Sequence, residues 1–374
     1  MQWARIGCIG FGGPPTHIAL LRQLCVQRRQ WISAAEFEDG VAATNLLPGP
    51  ASTQLAIFTA WRLRGVAGAV LGGVCFIAPG LVLILALAAV FLAGDPPRWV
   101  QGAAAGAGAA VAAVAVQAAG ALVPASWTRA GQHRAARVRW LGYALAGAGA
   151  AALAGPWLVL VLIGAGFVEV AVRRPGPARP GLRAGFWPLL ATAPPAVGGL
   201  LALVWVALKV GALSYGGGFV IIPLMRADAV EHYHWMSDGQ FLNAVALGQI
   251  TPGPVVQTVA VVGYAAAGVG GGLLAAVVAF APSFLFVIVG GPRFDRLRAD
   301  QRVQAFFAGA GPAVIGAIAG SAIPLALALQ HWWQVGVLAL AATWLLAARR
   351  DVVSALLGAG ILGVAAAVVG WPVS

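Results

Sequence analysis

Two Pro-Gly-Pro segments interrupt apolar stretches of the chain, and hydroxyl and amide side chains follow each of them. The first segment is residues 48–50 and the second is residues 252–254. Proline ends one helix and suits the first turn of the next, so each segment predicts a break between two short helices. The start of a helix presents free N–H groups and partial positive charge, and it therefore binds anions. We predict one anion site built from two helix starts.

The candidate binding residues lie at these breaks and at two paired glycine motifs. We expect free N–H groups at residues 52–54 and 256–258. The glycines of residues 11–13 and 215–218 indicate either a second unwound element or close helix packing. A charge in an apolar stretch is costly and suggests function, so we expect Lys209 to balance the anion. The candidate set is Gly12, Gly13, Asn45, Pro48, Gly49, Pro50, Ser52, Thr53, Gln54, Lys209, Gly216, Gly217, Pro252, Gly253, Pro254, Gln257 and Thr258.

Four further residues carry charge or can titrate, and each has two interpretations. Arg5 is equivalent to Lys209, and it either balances the anion or extends to the membrane interface. His17 titrates near neutral pH, which allows a role in coupling, although its equivalent in the second half is apolar. Arg22 and Arg226 either mark membrane edges or guide the anion.

The composition identifies the lipid bilayer as the environment of this chain. Its 374 residues are 60% hydrophobic and 9% charged, with a mean hydropathy of +0.88. A soluble domain carries about 25% charged residues. Residues 67–93 and 303–329 exceed the roughly 20 apolar residues that span a membrane. We predict an all-α polytopic membrane protein, with about 10–13 membrane segments if half-helices are counted.

The charged residues favour an anion over other ligands. The net charge of +12 comes from arginines clustered in short loops, which is typical of cytoplasmic loops rather than of nucleic-acid binding. Nearly all of the 11 acidic residues, Asp228 included, are expected in loops, whereas a cation or proton pump would need buried carboxylates. Glu169, four residues from Arg173, is expected at the interface. The three cysteines have no metal or redox spacing, so we expect no metal and no cofactor. A weak metal site at residues 231–234 stays open.

The two breaks belong to an internal repeat. Residues 5–55 align with residues 209–259 at an offset of 204 without a gap, and the similarity continues at an offset of 203. Arginine-rich loops in one half correspond to arginine-poor loops in the other, so the positive-inside rule gives the halves opposite orientations. Many secondary transporters are built as such inverted repeats. We predict an N-terminal repeat over residues 1–174, a cytoplasmic linker over residues 175–185 and an inverted C-terminal repeat over residues 186–374.

The motifs FGGPPTH, RRQWIS, LPGPASTQ and TPGP, together with the repeat, resemble the chromate ion transporter family (ChrA) in its two-domain, long-chain form. The resemblance covers essentially the whole chain. It implies a multi-pass protein of the bacterial inner membrane, chromate efflux from the cytoplasm, chromate resistance and competition by sulfate. The family motifs fall on Gly12, Gly13, Pro14, His17, Pro48, Gly49, Pro50, Ser52, Gln54, Gly216, Gly217, Pro252, Gly253 and Pro254.

The expected mechanism is alternating access, with the anion held between the two breaks. Two other functions stay open. The same cradle would serve an uptake system for sulfate-like anions or an anion channel. An integral membrane enzyme would need a cluster of His, Asp, Glu or Cys at catalytic spacing, and the five histidines are scattered. The expected partners are chromate or sulfate and the bilayer, without nucleic acid, and a homodimer stays open.

Overall fold

The computed structural model describes residues 2–11, 13–44, 49–92, 96–131, 133–153, 158–173, 199–214, 221–290 and 300–373. Within these ranges all regular secondary structure is helical, and five helices are long and apolar enough to cross a membrane. The prediction of a polytopic all-α membrane protein is confirmed. The predicted linker, residues 175–185, lies outside the described residues.

The described helices of the first half are α1 (Gln2–Ile9), α2 (Pro14–Arg22), α3 (Ala34–Thr44), α4 (Ala51–Phe91), α5 (Arg98–Ala130), α6 (Arg134–Leu153) and α7 (Leu158–Arg173). Those of the second half are α8 (Leu200–Leu213), α9 (Ile221–Arg226), α10 (Asp238–Ile250), α11 (Thr258–Gly290), α12 (Gln301–Leu327), α13 (Trp332–Ala342) and α14 (Val352–Val369). The π-helical turns Gln23–Arg28, Ala227–His232 and Thr343–Ala347 extend α2, α9 and α13, and the 3-10 turn Val255–Gln257 precedes α11.

Backbone irregularities recur at the offset of the repeat. The π-helical turns after α2 and α9 lie 204 positions apart. So do Gln30 and His234, which have φ angles of 50° and 52° although neither is glycine. Reciprocal hydrogen bonds then cap the next helix in both halves, between Ser33 and Glu36 and between Ser237 and Gln240. The two halves therefore share local backbone geometry, while their orientation in the bilayer stays a prediction.

The long helices α4 and α11 each fold back on themselves. The backbone leaves helical geometry at Gly65, with φ 57°, and at Gly268, with φ 63°. After this bend Gly72 packs against Ala60. The equivalent residues of α11, Ala275 and Gly263, pack against each other in the same way. Each helix is therefore a hairpin with a short and a long arm. We name these arms α4a (residues 51–63), α4b (66–91), α11a (258–266) and α11b (269–290).

The C-terminal helices of each half pack against a long helix of the other half. Helices α6 and α7 pack on α12, and α13 and α14 pack on α5. Glycines permit the close approach, since a Cβ on Gly316 of α12 would collide with the carbonyl of Ala144 in α6. A Cβ on Gly106 of α5 would likewise collide with the carbonyl of Ala359 in α14. The two halves thus interlock instead of forming separate packing units.

Candidate functional site

The first break lies between α3, which ends at Thr44, and α4, which begins at Ala51. Pro50 occupies the N-cap position with extended backbone. Gly49 has φ 117°, a conformation that favours glycine because it has no Cβ. Asn45 and Pro48 lie outside the described residues. The structure therefore has the broken helix that the sequence predicts, and the last two residues of the Pro-Gly-Pro segment form its turn.

The second break repeats this geometry between α10 and the 3-10 turn. Gly253 has φ 112°, close to the value at Gly49. Pro252 and Pro254 flank it, and Pro254 takes the N-cap position. The Gly49-Pro50 and Gly253-Pro254 parts of the two segments thus share their backbone conformation.

The free N–H groups lie earlier in the chain than expected. In α4 the Gln54 N–H donates to the carbonyl of Pro50 at 3.0 Å, which leaves only two of the three expected donors, on residues 52 and 53. In the second half the Gln257 N–H donates to the carbonyl of Pro254 at 2.9 Å, and the Thr258 N–H donates to the carbonyl of Val255. The prediction was wrong at Gln54 because this N–H makes the first α-helical hydrogen bond, to the carbonyl of the N-cap residue. It was wrong at residues 257 and 258 because a 3-10 turn, with its shorter hydrogen-bond reach, uses their N–H groups sooner.

Each break packs on a long arm of the other half, immediately after a proline inside that helix. The carbonyl of Pro252 lies against Gly80 of α4b, where a Cβ would collide with it. In the reciprocal contact, a Cβ on Gly49 would lie 3.3 Å from the Oγ of Ser283 in α11b. Gly80 directly follows Pro79, and Ser283 directly follows the equivalent proline, Pro282. The two breaks are therefore joined through α4b and α11b.

Two hydrogen bonds tie the second break to the first half. The Gly253 N–H donates to the carbonyl of Gly10, at the end of α1, at 3.1 Å. The Gln257 Nε2 group donates to the carbonyl of Ile77 in α4b at 2.8 Å. No hydrogen bond recorded among the described residues joins the two Pro-Gly-Pro segments directly. Their relation is set by the helices between them.

The polar side chains that follow the breaks are buried in an apolar protein. The relative exposure of Ser52, Thr53, Gln54, Gln257 and Thr258 is 0% or 1%. The Thr258 hydroxyl donates to the carbonyl of Val255 in its own turn at 2.8 Å, so it is not a free donor.

Thr53 Oγ1, Gln257 Oε1 and Ser283 Oγ are among the atoms of this region that have no hydrogen-bond partner among the described residues. Burial of a polar atom without a partner is costly and rare. The two hydroxyl groups are thus available as donors to a bound anion.

His17 joins α2 to the start of α4a. Its ring is fully buried, with Nε2 2.8 Å from the carbonyl oxygen of Gly10 and Nδ1 3.2 Å from Ser52 Oγ. Phe76 of α4b meets the ring edge-on. His17 and the Gly253 N–H share the same carbonyl acceptor on Gly10. The histidine is therefore part of the first break and is linked to the second.

Lys209 forms a buried ion pair with Asp228, and their side chains are 7% and 1% exposed. The expectation that Asp228 lies in a loop is wrong, because this residue lies in the buried π-helical turn after α9. The expected role of Lys209 is to balance the charge of the anion. The carboxylate of Asp228 already neutralises the charge of Lys209. Among the described residues, no hydrogen bond or ion pair joins this pair to either break.

The other basic candidates lie at the surface or in ion pairs. Arg5 is exposed. Arg22 pairs with Glu38 at 3.2 Å, and Arg226 pairs with Glu231 and Asp238 at 2.5 and 2.8 Å. These positions agree with the membrane-edge interpretation of the two equivalent arginines.

Glu169 is a second buried carboxylate, with its side chain 4% exposed. It accepts hydrogen bonds from Arg139, Arg173 and Tyr143. Arg173, the neighbour noted in the sequence, is therefore a partner of Glu169. The hydrogen bonds from Arg139 and Tyr143 of α6 were not predicted.

The glycine motifs divide between described and undescribed residues. Gly13 has φ 77° and precedes α2, so the chain unwinds between α1 and α2. Gly12, Gly216 and Gly217 lie outside the described residues. In the ranges that the structure covers, no three His, Cys, Asp or Glu side chains are grouped so that they could hold a metal ion.

The sequence did not predict the contacts of Gly80 and Ser283 with the breaks or the pairing of Asp228 with Lys209. The repeat carried a signal for two of them, since Ala78-Pro79 and Ala281-Pro282 match and precede Gly80 and Ser283.

Comparison with known proteins agrees with the motifs. A family model described as chromate transporter matches residues 1–170 and 201–364. A chromate transport protein of Cupriavidus metallidurans is 34% identical over 336 residues, which cover 87% of this chain and 81% of that protein. A chromate transport protein of Pseudomonas aeruginosa is 30% identical over 352 residues, covering 87% and 80%.

A probable chromate transport protein of Synechococcus elongatus is 28% identical over 375 residues, covering 96% of this chain and 93% of that protein. No solved structure gives a significant match. The family model spans both Pro-Gly-Pro segments, and the matches to these relatives cover most of the chain. The chain belongs to the chromate transporter family.

Proposed function

We propose that this protein is a secondary transporter that exports chromate across the bacterial inner membrane and thereby confers chromate resistance. Chromate transport is supported by the family and by the names of the relatives. Export and the secondary mechanism are our extension of that support. With a negative cell interior, outward movement of a dianion is electrically favourable.

The reciprocal packing of the two breaks is the observation that carries the proposal. Each break lies against the long arm of the other half, next to Gly80 or Ser283. Movement of one half relative to the other would therefore change both contacts together. Alternating access requires such a linkage between a central site and the relative position of two halves.

The buried donors support an oxyanion as ligand. The start of α4a offers N–H groups at Ser52 and Thr53, and the hydroxyls of Thr53 and Ser283 have no partner among the described residues. Hydrogen bonds to a charged acceptor are roughly twice as strong as neutral ones. We assign charge recognition to these groups and to the helix start, and a structural role to the Lys209–Asp228 pair.

The test is chromate accumulation in inside-out membrane vesicles. Thr53→Val removes a hydroxyl without a recorded partner. Thr59→Val is the matched control on the same arm, since the Thr59 hydroxyl donates to the carbonyls of Leu55 and Ala56. We expect wild type and Thr59→Val to accumulate chromate and Thr53→Val to do so with about tenfold lower affinity, the worth of one hydrogen bond to a charge.

If wild-type vesicles accumulate no more chromate than empty vesicles, the assignment of export fails. Accumulation only in right-side-out vesicles would reverse the direction and identify an uptake system. If the two threonine variants behave alike, Thr53 does not bind the anion.

A further inference from the structure

The hydrogen bonds of His17 determine which ring nitrogen carries the proton. A carbonyl oxygen can only accept, so Nε2, at 2.8 Å from the Gly10 oxygen, must bear hydrogen. In the neutral ring Nδ1 is then an acceptor, and its partner at 3.2 Å, the Ser52 hydroxyl, must be the donor. The hydroxyl hydrogen of Ser52 therefore points at the histidine and is not offered to a ligand at the start of α4a.

We propose that the site takes up one proton together with its oxyanion, with His17 as the proton acceptor and Ser52 as the link between them. This inference rests on the proposed function. A proton from solvent adds to the Nδ1 lone pair, and the new N–H bond donates to Ser52 Oγ. The Ser52 O–H turns away from the ring and donates to an oxygen of the anion. No bond of the anion forms or breaks.

The described surroundings of His17 hold no charged partner for a protonated ring. The ring has no exposed surface, and among the described residues it makes hydrogen bonds with Gly10 and Ser52 and a ring contact with Phe76. The described elements that make the main contacts with α2 are α1, α4 and the following π-helical turn. Their titratable or charged side chains, with Arg22 of α2 itself, are Arg5, Cys8, Cys25, Arg28, Arg62, Arg64 and Cys75. None of these has a recorded hydrogen bond or ion pair with the ring, so within the described residues no other charge balances an imidazolium.

A bound anion supplies the negative charge that balances the protonated ring of His17. Without it, a positive ring in a buried, largely apolar environment is unfavourable. With it, the positive ring and the reoriented Ser52 hydroxyl both stabilise the anion. Binding of the anion and binding of the proton must then strengthen each other by the same factor.

The shared acceptor connects this event to the second half. The carbonyl of Gly10 accepts from both His17 Nε2 and the Gly253 N–H, at 2.8 and 3.1 Å. Protonation makes Nε2–H a stronger donor to this carbonyl. The charge of His17 in the first half therefore affects a carbonyl that also accepts a hydrogen bond from Gly253 of the second break.

Chromate affinity as a function of pH tests the inference. The purified protein is equilibrated with chromate by dialysis at alkaline pH values, at which the free anion is fully deprotonated. For wild type we expect affinity to fall by up to about tenfold for each unit of rising pH, the limit for one linked proton. His17→Gln keeps a donor for Gly10 and an acceptor for Ser52, so it should bind weakly and without this slope.

Ser52→Ala provides a second test if the glutamine variant does not fold. It leaves the histidine in place and removes the link, so the slope should become shallower. Thr59→Val, which loses a buried hydroxyl on the same arm, should keep the wild-type slope. A His17→Gln or Ser52→Ala protein with the full wild-type slope would overturn the inference.

The transport assay separates this inference from the proposed function. Wild-type protein that accumulates chromate in vesicles but binds it with no pH dependence refutes only the role of His17. Wild-type protein that neither binds nor accumulates chromate refutes both.

Discussion

Beside the break of the first half lies the buried, titratable His17, whereas the equivalent residue of the second half is the apolar Ile221. In the second half the buried charges are Lys209 and Asp228, whereas the equivalent residues of the first half are the exposed Arg5 and the apolar Leu24. Yet both halves share the π-helical turn, the glycine turn at the break and the fold-back of the long helix.

The comparison shows that the two halves share backbone geometry but differ in their buried charges. The shared backbone geometry gives two equivalent breaks, each packed on the long arm of the other half. We propose that the difference in buried charge lets the first half respond to protons, while the second half holds the neutral Lys209–Asp228 pair. Variants that exchange features between the halves test that division.

The largest effect is expected from Asp228→Leu, which gives the second half the residue type of Leu24. It leaves Lys209 buried without a partner, and breaking such a pair costs about 3–5 kcal/mol. The measurement is thermal unfolding of the purified protein in detergent. The double variant Lys209→Met with Asp228→Leu should recover most of the loss. A double variant as unstable as the single one would show that the pair is not the cause.

The next effect concerns the residues after the helix prolines. Gly80→Ser copies Ser283 into the first half, where a Cβ would meet the carbonyl of Pro252 and the side chain of Gln257. We expect a loss of about 1–3 kcal/mol from overpacking, and chromate accumulation near the background of empty vesicles. Ser283→Gly, the reverse exchange, should fold normally. Gly358→Ser is the control, since its Cβ would have no neighbour within 4 Å among the described residues. Equal activity of the Gly80 and Gly358 variants would contradict the reciprocal packing.

A smaller effect is expected when a Cβ is added at the turns of the two breaks. Gly49→Ala and Gly253→Ala place alanine at φ angles of 117° and 112°, with a cost of about 1–2 kcal/mol each. Gly49→Ala should cost more, because its Cβ would lie 2.5 Å from Gln54 Nε2, against 3.1 Å from Gln257 Oε1 at Gly253. Thermal unfolding of both variants measures the difference. The reverse order would show that the two turns are less alike than their φ angles suggest.

The smallest effect is expected from Glu36→Gln, which copies Gln240. The hydrogen bond from Arg62 is the main reason why the pKa of Glu36 lies below its ordinary value of 4.5. The pair therefore stabilises the protein above that pH, and its contribution disappears as the pH falls through the lowered value. An exposed pair contributes about 0.2–1 kcal/mol.

Unfolding temperatures of wild type and Glu36→Gln should thus differ slightly at neutral pH and converge in acid. The capping bonds to Ser33 should survive in the variant, as they do between Gln240 and Ser237. A difference that grows in acid would contradict this assignment.

The local features of the fold were predictable from the sequence. Proline acts on its own backbone, so Pro50 and Pro254 predicted helix breaks where the structure has them, whereas the motif at Gly13 left unwinding and close packing open. Hydropathy likewise predicted the membrane-spanning helices.

Contacts between distant segments were not predictable. Asp228 resembled a loop residue because charges surround it in the chain, and only the packing of its π-helical turn near α8 pairs it with Lys209. The contact of Gly80 with Pro252 joins segments of different halves. The hydrogen bonds of His17 depend on three separate elements. The breaks could therefore be predicted, while the groups that surround them required the structure.

The central claim is that the two breaks form one oxyanion site. Equilibrium dialysis with labelled chromate measures how many anions each chain binds. The account predicts a single site, weakened by Thr53→Val in the first half and by Ser283→Ala in the second. Two independent sites per chain, each weakened by only one of these substitutions, would contradict it.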